Sequence, residues 1–470
     1  MTEIRWITTT EEKAWVEREA PGLTPVAVMP SVFIQLDRPQ QAIEGFGASF
    51  NEMGWDALAL LPEQARGAII RDLFEPGAGL NLSLCRMPVG ANDFSRDWYS
   101  YDETPGDLAL DDFSIVHDDE TLVPFIRAAQ AHRPDLRVWA SPWSPPTWMK
   151  ANGHYAGAMP HPAFGNIDNG MTEDKVGREG TDMFRVDDVH LDAYARYFGR
   201  FIDAYAERGI RIDTVMPQNE FNSAQAFPSC TWTPEALARF IRVLGPEMAG
   251  RDVQVLLGTL ERADDTMVTK VLDDEEAAPW VRGVGVQWAG RGAVPFVHHD
   301  NPELPIWQTE QECGDGKNDW RHARHAWQIM RTFFGNGATA YMYWNMALLE
   351  GGVSRWGWSQ NSFVVVDPVT RTHRYTHEYQ LLKHVSHVVQ LGARVIPTLS
   401  YSGFENQLAF VNPDGSLVIV AHNDGGDPVE VSYLIGDQVL AVTLDADSFH
   451  TFVIPPMRAV SPAAARSRAA

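Results

Sequence analysis

Two acidic side chains stand at the polar ends of otherwise apolar runs. In TVMPQNEFNS, residues 214–223, Thr214, Val215 and Met216 suit a strand interior, yet Gln218, Asn219 and Glu220 follow almost at once. In LPIWQTEQE, residues 304–312, the run ends on Glu310 and Glu312. Carrying such groups out of a core without partners is costly, so each strand ends either in solvent or in a site. Two carboxyls that face each other across a pocket are the minimum for glycoside hydrolysis, one an acid and the other a nucleophile or base. The ordinary alternative is a solvated surface position, the expected fate of most of the 62 Asp and Glu residues.

Elements that could bring the two carboxyls together are legible around them. Eight short apolar runs end in small or polar residues, at 43–51, 82–90, 136–143, 212–220, 253–261, 281–288, 304–312 and 338–346. Several are nearly continuous in apolar character, as strands covered on both faces should be. Helical apolar spacing occupies 55–74, 190–209, 233–250 and 320–337. Eight strand–helix alternations predict an α/β fold, a (β/α)8 TIM barrel, over 41–392. An open doubly wound sheet would carry a Gly-rich phosphate loop after its first strand, and GFGASF does not supply the GxGxxG pattern. At about 30 residues per unit, Glu220 and Glu310 fall on strands four and seven. Active sites of such barrels lie at the C-terminal strand ends, where Asp93, Trp143, Asn219, Glu220, Glu310, Trp344 and Asn345 would gather.

The two chain ends read differently. TPVAVMPSVFIQLD (24–37) and the sequence from about 395 onward have the pattern of antiparallel strands, with a hairpin turn at Asn412-Pro413-Asp414-Gly415. The expected organisation is an attached β-sandwich built from 1–40 and 393–456, with a disordered tail over 457–470.

Composition narrows the function classes. The 470 residues are 44% hydrophobic and 21% charged, an ordinary globular balance. A net charge of −24 without a Lys/Arg-rich run argues against a nucleic-acid partner. Three dispersed cysteines predict neither a disulfide framework nor a Cys-based zinc site. No HExxH motif occurs and no HxH follows the first strand, so no metal or other cofactor is expected. MTEIRWITTTEEKAWVERE lacks an apolar h-region and no stretch is long enough to span a bilayer, which predicts a cytoplasmic protein without membrane insertion. The 151–188 segment is long, polar and rich in Gly, as lids are, and an ordinary surface excursion has the same composition.

The motifs GFGASF, RMPVGANDFS, SPWSPPTWMKANG, MPQNEF, QTEQECG, YMYWNMAL and QNSFVVVD occur in order from about residue 40 to 455. Together they resemble glycoside hydrolase family 30, the glucosylceramidase-like family. The resemblance implies a barrel with a β-sandwich and a retaining mechanism, with Glu220 as acid/base and Glu310 as nucleophile. It places Asp93, Trp143, Trp344 and Asn361 around the glycone and Arg86 near the carboxylates. These roles suit the residue types: Asp93 can bind paired hydroxyls, the indoles offer flat faces, and Asn219 could hydrogen-bond the sugar 2-OH. The chain departs from the family at Phe221, where a proline usually follows the acid/base, and at Ala289, where an aromatic hydroxyl often stands near the nucleophile. Glu312 shares a strand face with Glu310 by the period-two rule, so spacing alone leaves both open as nucleophile. The expected substrate is a carbohydrate or glycoside, foremost a small β-glucoside cleaved from its non-reducing end. An endo-acting β-1,6-glucanase, another β-glycanase or β-xylosidase of the family, and a non-catalytic carbohydrate-binding barrel remain the alternatives.

Overall fold

The computed structural model describes residues 3–161 and 167–456. Its contacts divide the chain into Glu44–Lys383 and a second unit made from both ends, up to Ile43 and from His384. The expected tail over 457–470 lies outside the described residues.

Eight parallel strands close the larger unit into a barrel: β1 (Gly45–Ser49), β2 (Leu84–Pro88), β3 (Arg137–Ser141), β4 (Thr214–Val215), β5 (Gln254–Leu260), β6 (Val281–Gln287), β7 (Ile306–Glu310) and β8 (Ala338–Leu349). Each pairs with the next, and β8 returns to β1 through Ala340 opposite Gly45. Inside, Leu84, Trp139, Met216, Leu256, Trp307, Ala340 and Met342 form one buried layer. Side chains alternate along a strand, so one period beyond Leu84 and Trp139 come Arg86 and Ser141, at the level of the barrel mouth. The GFGASF strand needs its glycine: a Cβ on Gly47 would sit 1.6 Å from the Leu84 carbonyl oxygen of β2.

Helices α1 (Glu52–Ala59), α2 (Glu63–Phe74), α3 (Leu122–His132), α4 (Asp188–Glu207), α5 (Pro234–Ala249), α6 (Thr266–Leu272), α7 (Val294–Asp300) and α8 (Trp320–Gly335) lie between the strands or beside them. The single helix expected over 55–74 is two, because Pro62 takes an extended ψ of 144° and starts a new helix instead of continuing the old one. Helix α5 begins as its sequence predicts, with the Thr233 hydroxyl accepting from Ala236 N at 3.2 Å. Strand β8 runs past the barrel and pairs in parallel with Ser362–Asp367, an extension that the apolar pattern does not mark.

The smaller unit is a β-sandwich. One sheet has the order Arg394–Ile396, Gln407–Val411, Leu417–Asn423, Ser448–Ile454, Arg5–Thr9, Val16–Arg18. The other has the order Thr398–Ser400, Val32–Ile34, Val429–Ile435, Gln438–Leu444, Thr24–Pro25. Their facing side chains, among them Val32, Ile419, Tyr433, Leu440 and Phe452, share one core. The hairpin turns where expected: Asn412 N donates to Ser416 O at 2.9 Å, and Gly415 takes φ +83°.

Candidate active site

At the barrel mouth the carboxyl groups surround one buried guanidinium. Arg86 of β2 is fully buried, and its Nη1 donates to Glu310 Oε2 at 2.7 Å. Nη2 donates to Asn219 Oδ1 at 2.7 Å and to Ser141 Oγ at 2.8 Å, and the cation lies 4.1 Å from the Trp143 ring centre. A cation so enclosed is costly unless paired, and Glu310 supplies the pair.

Gln287, the last residue of β6, joins the two strand ends that carry the carboxyls. Its Nε2 lies 3.2 Å from Glu220 Oε1, 3.1 Å from Glu310 Oε2 and 3.2 Å from Asn219 Oδ1. Its Oε1 accepts from Thr309 Oγ1 at 3.0 Å, which fixes the orientation of the amide. The Glu220 and Glu310 oxygens therefore lie no farther apart than two hydrogen-bond lengths end to end.

The two carboxyls differ in their surroundings. Glu310 accepts from Arg86, from Gln287 and, through Oε1, from Trp288 Nε1 at 2.8 Å. Among the described residues Glu220 accepts only from Gln287, and its buried Oε2 has no partner. Burial raises both proton affinities. Glu220 is pushed further by the carboxylates of Glu261, Glu310 and Asp93, whereas Arg86, Trp288 and Gln287 favour the charged form of Glu310. The proton belongs on Glu220. Its backbone is held at φ +49° by donation from Glu220 N to Thr259 Oγ1 at 2.8 Å, a left-handed conformation of the kind found where a site over-determines one residue.

Asp93, 4% exposed, follows β2, and its buried Oδ1 has no partner among the described residues. Burial first and Glu310 second raise its proton affinity, while Arg86 and the Trp344 indole oppose them. Trp143 and Trp344 pack with ring centres 5.2 Å apart, in one cluster with Phe94, Phe227, Cys313 and Trp356. Arg86, Asp93, Trp143, Asn219, Glu220, Glu310 and Trp344 thus share one end of the barrel.

Two of the residues weighed in the sequence have their polar atoms engaged outside this network. Asn361 does not present a free amide to this mouth: its Oδ1 accepts from Gly316 N and Asn318 N at 2.9 and 3.1 Å, and its Nδ2 donates to Glu378 Oε1 at 2.5 Å. It fastens the loop after β7. Glu312 turns out of the network, ion-paired with Arg291 and bonded to His325 Nε2 at 2.8 Å. β7 ends at Glu310, so the period-two rule no longer governs Glu312.

Gln287 and Trp288 carry roles that the residue pattern left unassigned, although the rule that singled out Glu220, polar residues ending an apolar strand, applies equally to VRGVGVQW. With Ala289 lacking a hydroxyl, the indole of Trp288, itself at φ +48°, is the aromatic donor to Glu310. Phe221 is fully buried, and its carbonyl accepts from Trp232 N at 2.8 Å, so the missing proline leaves Glu220 in the mouth. Lys150 of the SPPTWMK motif is buried and donates to Ser144 Oγ, Tyr155 O and Ser229 O at 3.1, 2.7 and 2.6 Å, tying the start of the 151–188 segment down. Among the described residues no group of three or more His, Cys, Asp and Glu could hold a metal ion, and no helix is long and apolar enough to cross a membrane.

A closed parallel barrel with paired carboxyls at its C-terminal strand ends, set among indoles and amides, defines a glycoside hydrolase. Residues 43–389 match the Glycosyl hydrolase family 30 TIM-barrel domain and residues 392–452 the Glycosyl hydrolase family 30 beta sandwich domain, and the chain belongs to that family. It is 28% identical over 454 residues to the lysosomal acid glucosylceramidase of Mus musculus, covering 89% of this chain and 81% of that one. It is 24% identical over 441 residues to an endo-1,6-beta-D-glucanase of Aspergillus fumigatus, covering 88% and 86%. The fold is shared with SrfJ from Salmonella typhimurium (TM-score 0.85, 23% identity, 97% of this chain and 100% of that one). The endo-beta1,6-glucanase BT3312 shares it as well (TM-score 0.80, 20% identity, 96% and 100%).

Proposed function

We propose that this glycoside hydrolase retains configuration and acts on β-glucosides, removing one sugar from the non-reducing end. The observation that carries the reading is the Gln287 amide, 3.2 Å from one carboxyl and 3.1 Å from the other. Inverting enzymes leave room for a water between carboxyls separated by about 6.5–9.5 Å, and retaining enzymes hold theirs about 5–5.5 Å apart. A single nitrogen bonded to both sides supports the shorter arrangement.

Glu310, charged and oriented by three donors, attacks C1 while Glu220 gives its proton to the departing glycosidic oxygen, so the C1–O bond breaks as the glycosyl ester forms. The ester removes the charge of Glu310, and with it one of the charges that held the proton on Glu220. Glu220, now a carboxylate, takes a proton from water, which attacks C1 and releases Glu310. Asn219 Oδ1 accepts from Arg86 Nη2 and Thr259 Oγ1 at 2.7 and 3.2 Å, which leaves Nδ2 as the group that meets the sugar 2-OH. The unpartnered Asp93 oxygen accepts from a second hydroxyl. Glucose is favoured because relatives named as glucosylceramidase and endo-1,6-beta-D-glucanase both carry a glucosyl unit in their names. Exo action is favoured by the near-complete burial of Asp93, Trp143, Glu220, Glu310 and Trp344, each no more than 5% exposed.

The test is a panel of aryl β-glycosides with product configuration followed by NMR. The expected first product is β-glucose. An α-anomer appearing first would overturn retention. Cleavage of β-1,6-glucan to mid-sized oligomers, with aryl glucosides inert, would establish the endo reading that the glucanase relatives favour.

A further inference from the structure

The C-terminal ends of β4 and β5 are stitched together beyond their short ladder. Thr259 N donates to Gln218 O at 2.6 Å and Gln218 N to Gly258 O at 3.3 Å. Farther along, Asn222 Oδ1 accepts from the N–H of both Glu261 and Arg262, at 3.0 and 3.2 Å, and Asn222 Nδ2 donates to Arg262 O at 3.3 Å. These bonds lock Glu261 beside the stretch that carries Glu220. Glu261 is only 6% exposed, and no step of the hydrolysis uses it. Its carboxylate pairs with Arg262 Nη1 at 2.6 Å. Arg262 Nη2 reaches in the other direction, to Glu179 Oε1 at 3.0 Å. Glu179 belongs to the 151–188 segment and also accepts from Ala224 N at 3.3 Å.

A carboxylate fixed near an acid catalyst makes that catalyst harder to ionise. We propose that Glu261 is a positioning residue for the acid/base: its charge keeps the proton on Glu220, and Arg262, drawn outward by Glu179, sets how much of that charge Glu220 feels. The inference rests on Glu220 being the acid/base.

The groups facing the two residues support this assignment. Glu220 faces Glu261, Glu310 and Asp93, which raise its proton affinity, and the Gln287 amide, Arg86 and Arg262, which favour its charged form. Burial is the largest influence on Glu261 and raises its own proton affinity; Arg262 and the Ser223 hydroxyl favour its charge against that, and Glu179 and Glu310 oppose it. The arrangement suits a general acid that must stay protonated near neutral pH, where efficient acid–base catalysts titrate.

The test is the pH profile of kcat/KM on an aryl β-glucoside for wild type, Glu261→Gln, Glu261→Asp and Glu179→Gln. Removing the charge in Glu261→Gln is expected to move the alkaline limb down by about one pH unit, with the plateau largely kept. Glu261→Asp, which keeps the charge, returns the limb toward wild type. Glu179→Gln, at a well-exposed position, leaves Arg262 to Glu261 alone and moves the limb the same way by less; it carries the test if Glu261→Gln fails to fold. A uniform loss of rate at every pH, or a limb unmoved in the folded variants, would overturn the inference. Glu220→Ala separates the two readings. If the alkaline limb disappears with Glu220 yet stays in place in Glu261→Gln, the acid/base assignment stands and the role of Glu261 falls. If the limb survives in Glu220→Ala, both fall.

Discussion

Replacing Trp288 by Phe removes one of the three donors that hold the Glu310 carboxylate and leaves most of the ring in place. The lost bond runs from Nε1 to Glu310 Oε1 at 2.8 Å; the Arg86 and Gln287 donors, at 2.7 and 3.1 Å, remain on Oε2. A hydrogen bond to a charged group is worth about 1.5–3 kcal/mol, and one pKa unit corresponds to about 1.36 kcal/mol. The Glu310 proton affinity should therefore rise by about one to two pH units. The nucleophile must be ionised to attack, so the acid limb of kcat/KM should move upward by that amount, because this limb reports the free enzyme. Well below the original limb the variant should be about 10- to 100-fold slower than wild type. On the plateau it should lose little, since a carboxylate with one donor fewer is the stronger nucleophile. Rates on an activated aryl glucoside from pH 4 to 8 give both quantities. A limb that stays in place while the rate falls equally at every pH would refute the argument, and Trp288 would then act through packing or substrate contact.

Glu220→Ala should slow glycosides with poor leaving groups by about 10²–10⁴-fold, typical of a lost general acid, while dinitrophenyl glycosides, which need no proton, form the glycosyl-enzyme at close to the wild-type rate. Added azide should then speed turnover and yield a β-glycosyl azide; equal losses on both substrate classes would count against the acid role. In the sandwich, His450 Nδ1 accepts from Trp6 Nε1 at 3.1 Å and Nε2 faces Ser448 Oγ at 2.7 Å, and burial lowers its pKa from 6.5 to about 3. Between those values the unfolded chain takes up a proton that the folded one refuses, so this contribution is complete above 6.5 and is lost as the pH falls toward 3. Urea denaturation should show wild type losing about 2 kcal/mol relative to His450→Gln between pH 7 and pH 5; a pH-independent difference would contradict the sign.

The barrel was legible because each strand is an apolar run of nearly the right length ending in polar residues, and the carboxyl pair because Glu220 and Glu310 end two such runs. Local pattern could not report what depends on three-dimensional reach. Asn361 has a residue type suited to a sugar, yet Gly316, Asn318 and Glu378 take its amide for loop support. Glu312 alternates correctly with Glu310, yet the strand stops between them and Arg291 draws Glu312 aside. Gln287 became important only once its nitrogen was seen to lie against both carboxyls, a relation among β4, β6 and β7 that no single segment contains. The helix break at Pro62 was written in the sequence and is a matter of proline chemistry.

The division of labour between Glu310 and Glu220 is tested most directly by trapping. A 2-deoxy-2-fluoro-β-glucoside with an activated leaving group should label the enzyme once, and peptic digestion with mass spectrometry should place the label on Glu310. In Glu310→Ala no label should form. A label on Glu312 or Glu220, or inactivation without any covalent adduct, would contradict the account.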